Sequence, residues 1–300
     1  MKSFYLKIAG FQVRVNFINV TNEAFRIPPQ YWPFALIDHV DDDKTNLYTI
    51  NIDNGYSFPE LGEEIGQFDA TGNNQAVYKQ PDGKYLFDLS DSNGQRVCRM
   101  LSGEGFKTNT VALEGDLSQY TFGFNNAMMI AFSFSSATAG ALLMHSSVTL
   151  YKGGAYMFLG KSGTGKSTHS SLWLKYFSGT ELLNDDNPVM RVEDGRVIVY
   201  GTPWSGKTPC YKNHSAPVQA LVMLEQKPYN RIQRVRIVNA LAYLLTSCSS
   251  MIWDKPTYHA IISTLSAVIA CVPVYYLECL PDEAAAQLSR ATLTHEDQAH

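Results

Sequence analysis

Apolar and polar residues alternate through the first third of the chain. The stretch "VYKQPDGKYLFDLSDSNGQRVCRM", Val77 to Met100, alternates around two turn signals, Pro81-Asp82-Gly83 and Ser92-Asn93-Gly94. A period of two broken by such turns predicts a hairpin or meander. The opening "MKSFYLKIAGFQVRVNF" also alternates and reads as strand; it lacks the long apolar core and cleavage site of a signal peptide. Pro59 to Gln75 reads as loop. Residues 1–118 are therefore expected to form a β-rich N-terminal domain of open role.

The texture changes near residue 118. "NNAMMIAFSFSSATAGALLM", Asn125 to Met144, predicts a buried helix. "SSVTLYKGGAYMFLG" follows as a short strand, a Gly153-Gly154 turn and an apolar strand. "IVNALAYLLTSCSSMIW" and "PTYHAIISTLSAVIA" read as helices, with Pro256 suited to a first turn. Between and after them, "QALVMLEQ" and "VPVYYLEC" read as strands, and "PDEAAAQLSRATL" as a closing helix with acidic residues at its start. Alternation of strands and helices predicts an α/β domain over residues 119–300.

Composition narrows the class. Hydrophobic residues make up 45% and charged ones 17%, enough for a real core. A net charge of −4 gives no basic surface for nucleic acid or an anionic membrane. The most apolar long run, Ala260 to Leu277, is interrupted by Ser263, Thr264, Ser266 and Pro273, so a buried helix and strand fit better than a membrane span. The five cysteines show no CxxC or metal-type spacing and are expected as reduced thiols in a cytoplasmic protein. The acidic run Asp41-Asp42-Asp43, followed by Lys44, reads as a solvated turn rather than a metal site.

The stretch "FLGKSGTGKSTHS", Phe158 to Ser170, carries the chemistry. Gly160 to Ser167 matches G-x-x-x-x-G-K-[ST] at every fixed position. Glycines let successive backbone N–H groups turn inward toward phosphate oxygens. Lys166 supplies a point charge for the outer phosphates, Ser167 a hydroxyl for Mg²⁺, and the helix that starts here its positive end. The candidate nucleotide contacts are Gly160, Ser162, Gly163, Thr164, Gly165, Lys166, Ser167 and Thr168. Lys161 reads equally as a solvated charge, and His169 as a helix-surface residue or a neighbour of phosphate.

"GTELLNDDNPVM" places Asp185 and Asp186 at the tip of a short strand, one helix and one turn after Lys166. That strand is expected beside the loop strand, with the aspartates at the carboxyl end of the sheet. One carboxylate can hold Mg²⁺ with Ser167; the other can take a proton from an attacking hydroxyl. Trp204 and Tyr211 with Lys207, Lys212 and His214 suggest a substrate-facing loop. Arg231, Arg234 and Arg236 alternate like a strand face, toward phosphates or toward solvent.

These motifs resemble the catalytic domain of HPr kinase/phosphorylase and, more remotely, ATP-dependent phosphoenolpyruvate carboxykinase. The resemblance rests on "GKSGTGKST", on "LLNDDNPV" and on His145 upstream of the loop, and covers roughly Leu142 to Val189. It implies a P-loop α/β core, ATP and Mg²⁺, and γ-phosphoryl transfer to a hydroxyl, serine foremost, on a protein, peptide or small molecule. It implies Lys166 on phosphate, Ser167 and Asp186 on Mg²⁺, Asp185 as base and His145 near the reacting phosphate; a buried strand-end histidine is the other reading of His145. One departure is plain. The family's Glu-Ile-Arg-Gly segment corresponds to "VIVYG", where Val199-Tyr200 supply neither Glu nor Arg, so HPr specificity is in doubt. HPr kinases are hexameric; no residue here decides whether this chain assembles. An ATP-binding regulatory module, or an ATPase without kinase activity, is the alternative.

Overall fold

The computed structural model describes residues 2–40, 42–69, 74–251 and 253–295. Asp41 of the acidic run, and residues 70–73 of the segment read as loop, lie outside that set. The chain divides into two compact units, Met1–Ser136 and Ala137–His300.

The first unit is an eight-stranded sheet under one long helix. Its strands are β1 (Lys2–Ile8), β2 (Phe11–Asn19), β3 (Asn46–Asp53), β4 (Glu63–Asp69), β5 (Asn74–Lys79), β6 (Tyr85–Ser90), β7 (Arg96–Ser102) and β8 (Thr108–Leu113), followed by α1 (Leu117–Ala137). The sheet order is β1-β2-β3-β8-β7-β6-β5-β4, and the alternating stretch from Val77 becomes the meander β5-β6-β7. One strand departs from the sequence reading. Glu63–Asp69 pairs with β5 at the sheet edge; its polar residues and the bulge between Glu64 and Gly66 hide the alternation.

The helix also departs from expectation, beginning at Leu117 and ending at Ala137 rather than spanning 125–144. Gly140, at φ 73°, turns the chain into the next strand. The helix belongs to the first unit because its apolar side packs there. The Tyr48 hydroxyl donates to the Met128 carbonyl at 3.1 Å, and Phe124 and Phe134 pack on Phe25 and Phe87. The unit boundary therefore falls at the last residue of α1, at 136/137, and not near 118.

The second unit contains β9 (Ala141–Leu143), β10 (Ser146–Tyr151), β11 (Gly154–Leu159), α2 (Lys166–Tyr176), β12 (Glu181–Asp186), β13 (Val189–Glu193) and β14 (Arg196–Tyr200). It continues with β15 (Ser215–Gln226), β16 (Arg231–Arg234), α3 (Ile237–Leu245), α4 (Lys255–Cys271), β17 (Val274–Cys279) and α5 (Glu283–His295). The main sheet runs β12-β10-β11-β15. The first residues of β15 carry β14-β13-β9, and its last residues carry β17 and then β16. Pairing of β11 with β15 and of β15 with β17 is parallel. Both faces are covered. Met157 and Leu159 pack with Ile261 and Leu265 of α4, while Tyr156 and Phe158 pack with Trp173 of α2 and Ala285 of α5. Two-sided burial is why "AYMFL" shows no alternation. Among the described residues no helix is long and apolar enough to cross a membrane, and the five cysteines are free thiols.

The aspartate strand does not lie beside the loop strand. β12 pairs with β10, which separates it from β11. Because β10 is antiparallel to both, β11 and β12 still run the same way and end at the same edge.

Candidate functional site

The sheet register builds the site. Ser146, the first residue of β10, lies opposite Leu159 at the end of β11 and opposite Asp186 at the end of β12. The chain leaves β11 into the glycine loop at Gly160, and His145 immediately precedes Ser146. Three separate stretches of sequence thus converge on one sheet edge.

The loop's conformation demands its glycines. Gly160, Gly163 and Gly165 have φ of 144°, 81° and 96°, a region that side chains with a Cβ seldom adopt. A Cβ on Gly160 would also lie 2.7 Å from Thr164 Oγ1. Gly165 caps α2 in the left-handed conformation, and Lys166 opens the helix. The Lys166 side chain folds back over the loop, its Nζ donating to the carbonyls of Gly160 at 3.0 Å and Lys161 at 3.2 Å. Thr164 Oγ1 also donates to Lys161 O. Ser162, Ser167 and Thr168 are exposed on the loop and first helical turn.

Asp185 is 2% exposed, and among the described residues neither of its carboxylate oxygens has a hydrogen-bond partner. It lies opposite Ser147, whose hydroxyl meets that of Ser170 on α2 at 2.7 Å. Asp186 takes a φ of 152°, uncommon for a residue with a side chain. Its Oδ1 lies 3.3 Å from His145 Nδ1, and its Oδ2 accepts from the Asn187 amide.

Charge ties these groups together. Burial holds the His145 imidazole below its ordinary value although Asp186 opposes that effect. Burial pushes the Asp186 carboxyl up, with His145 and Lys166 only partly offsetting it. Burial also lowers the Lys166 ammonium, against the pull of Asp186 and Asp185. A buried cation and two acidic groups beside a curled loop form a place where charge is held before any partner arrives. His145 is thus a partly buried strand-end residue and also a neighbour of the acidic pair.

Other residues separate from the site. His169 is neither on the helix surface nor among the loop groups. It is 2% exposed, bonds Ser289 Oγ of α5 through Nε2 at 2.9 Å, and burial pushes it down to about 4. Arg231, Arg234 and Arg236 are exposed. Arg231 and Arg234 lie on β16, two strands beyond β15, and Arg236 caps α3. Trp204 is buried, and Lys212 pairs with Glu181 at 2.9 Å, so the suggested substrate-facing group is not one surface. The Tyr200 hydroxyl donates to Glu193, and burial with that carboxylate pushes it up to about 12.

One part of the site went unread in the sequence. Asn184 is fully buried; its amide donates to Trp204 O at 3.0 Å and Thr202 Oγ1 at 3.3 Å, and its carbonyl accepts from Asn187 N. Gly206 N donates to Asp185 O, and a Cβ there would lie 2.8 Å from that oxygen. Residues 202–206 therefore hold the aspartate tip in place. The signal available was Gly206, whose neighbours Lys207 and Thr208 invite a phosphate-loop reading instead of a close approach of two backbones.

No protein-family model and no curated protein matches the chain. The solved structure of the HPr(Ser) kinase/phosphatase from Coxiella burnetii is similar over 52% of this chain and 95% of that chain. Identity is 12% and the TM-score is 0.30, a likeness too slight to carry an argument about the chemistry.

Proposed function

We propose that the chain is a Mg²⁺- and ATP-dependent phosphotransferase of HPr-kinase-like type that moves a γ-phosphoryl group to a hydroxyl, serine foremost. The observation that carries this is Asp185, a buried carboxylate with no hydrogen-bond partner among the described residues, beside Lys166, Asp186 and a glycine loop. An orphaned buried carboxylate is costly, and a part in proton and phosphoryl transfer gives it a purpose.

The residues fit the group they would hold. Mg²⁺ needs few protein ligands, one or two carboxylates with phosphate oxygens completing the set. Asp186 and Ser167 would supply that chemistry. When bound, the ion neutralises charge on the transferring phosphoryl group.

The chain's own residues do the remaining work. The loop's backbone N–H groups and Lys166 hold the outer phosphates in line with the acceptor. Asp185 takes the proton of the acceptor hydroxyl as the acceptor's oxygen bonds to the γ-phosphorus, and the bond from that phosphorus to the bridging oxygen breaks, releasing ADP. His145, neutral near pH 7, keeps Asp186 oriented through the 3.3 Å contact.

A second reading, ATP hydrolysis or binding alone, is favoured by one observation. Asp185 at 2% exposure leaves easier access to a water than to a bulky acceptor. Incubation with γ-labelled ATP and a cell extract separates the readings. Label on a protein, peptide or small molecule that is lost in Lys166→Ala and Asp185→Ala supports transfer. Label released only as inorganic phosphate supports hydrolysis, and full transfer by Asp185→Ala removes its role as base.

A further inference from the structure

The main sheet of the second unit has two ends. β15 and β17 run parallel to β11, so all three finish toward the edge that carries the glycine loop. At the opposite end a cavity of about 600 Å³ opens between the last turns of α4 and α5. Its walls are mostly apolar. Val218 and Val274 come from the first parts of β15 and β17, Ile269 and Val272 from the end of α4, and Leu293 from the end of α5. Backbone hydrogen bonds fix the frame. Leu221 N donates to Pro273 O at 3.1 Å, and Val235 N donates to Val274 O at 2.7 Å. The second bond ties the turn between β16 and α3 to the cavity wall.

Two arginines give this apolar space one sign of charge. Arg234 lines it, and together with Val235 also lines a smaller cavity of about 220 Å³ that takes in Arg236 and Asn239. Among the described residues no Asp or Glu lines either cavity, although the chain as a whole carries a net charge of −4. α3 starts at the same place, with Arg236 at its N-cap and no acidic residue in its first turn, so its positive end adds to the arginines. Ile237 lines the larger cavity and is still 75% exposed. An apolar side chain is thus left in water beside two cations that meet no carboxylate there.

We infer that the cavity binds an aliphatic carboxylate, its chain laid along Val218, Ile269, Val274 and Leu293 and its acidic head held by Arg234 and Arg236. A volume of this size with apolar walls and a few polar groups at one side suits a small organic ligand. Each methylene that leaves water for these walls favours binding. Guanidinium groups match a carboxylate in charge and in geometry. The site stands at the far end of β11 from the glycine loop, so it does not depend on the proposed phosphoryl transfer.

Calorimetric titration of the full chain, without nucleotide, tests the inference with decanoate and with decylammonium, both below micelle formation. Decanoate should bind at least about tenfold more tightly than the cation. Its affinity should fall about tenfold or more in the double variant Arg234→Gln/Arg236→Gln and in Ile237→Asp, all at exposed positions. Cys271 reports where the ligand sits, because it lines the cavity and is the exposed one of the five cysteines. Saturating decanoate should slow alkylation of Cys271 by iodoacetamide in the wild type, followed by mass spectrometry; this readout needs no substitution. No decanoate binding by the wild type, equal binding of the two ions, or binding that leaves Cys271 unprotected overturns the assignment. Undiminished binding by the double arginine variant overturns it as well.

Discussion

Asp185 sets a buried charge where no described side chain or backbone donor meets it. Such a group weakens the folded state, because water that solvated it in the unfolded chain is not replaced. Asp185→Asn should therefore raise the melting temperature of the metal- and nucleotide-free protein, by the equivalent of about 1 kcal/mol or more, while phosphoryl transfer is lost. Thermal melts beside an activity assay check both halves; a destabilised Asn variant would show that the carboxylate is structural. His169 makes a second residue-scale statement. Its folded value, about 4, lies below the ordinary histidine value of about 6.5. The neutral ring thus stabilises the fold fully above that ordinary value, and the contribution is lost as pH falls toward the folded one. The loss amounts to about 3 kcal/mol at most. His169→Gln should flatten the fall in stability between those pH values, measured by denaturant unfolding; an unchanged acid limb would contradict this. The burial of His169 was not visible in "STHSSLWLKYF", since α2 buries Ser170 and His169 as well as Trp173 and its polarity hides its inner face. The partner, Ser289, comes from a helix at the far end of the chain.

Between elements, the decisive contact is the approach of residues 202–206 to the tip of β12. Gly206→Ala would drive a methyl group into the Asp185 carbonyl at 2.8 Å. The aspartate tip must then shift, so transfer rate should fall at least about tenfold while affinity for tripolyphosphate, held at the loop, stays near wild type. Steady-state kinetics with calorimetry would show this split; equal loss of both would show that the unit as a whole had been damaged. The sequence made the strand, loop and helix from Ala155 to Phe177 readable, because that signal is local. It made the aspartate tip readable as well, but not its neighbour. The insertion of β10 between β11 and β12 is a long-range pairing that no local pattern encodes, and only the register of Ser146 with Leu159 and Asp186 explains how His145 arrives.

Across the molecule, the change of texture near residue 118 marked where helix begins, not where one unit ends. α1 follows the strands of the first unit in sequence and packs its aromatic residues on them. A fragment of residues 137–300 keeps both core clusters built on the second sheet; it should fold and, under the proposed function, match the full chain in affinity for Mg²⁺–ATP, measured by calorimetry. A fragment of residues 119–300 would carry a helix stripped of its sheet and should be the more aggregation-prone of the two, which light scattering during a melt would register. The central claim is transfer of the γ-phosphoryl group by the site around Lys166, Asp185 and Asp186. The most direct measurement is the fate of γ-labelled ATP with the wild type, Lys166→Ala and Asp185→Ala in the presence of Mg²⁺ and a cell extract. Label should reach a hydroxyl of an acceptor with the wild type and with neither variant; undiminished labelling by either variant, or none by the wild type, would contradict the account.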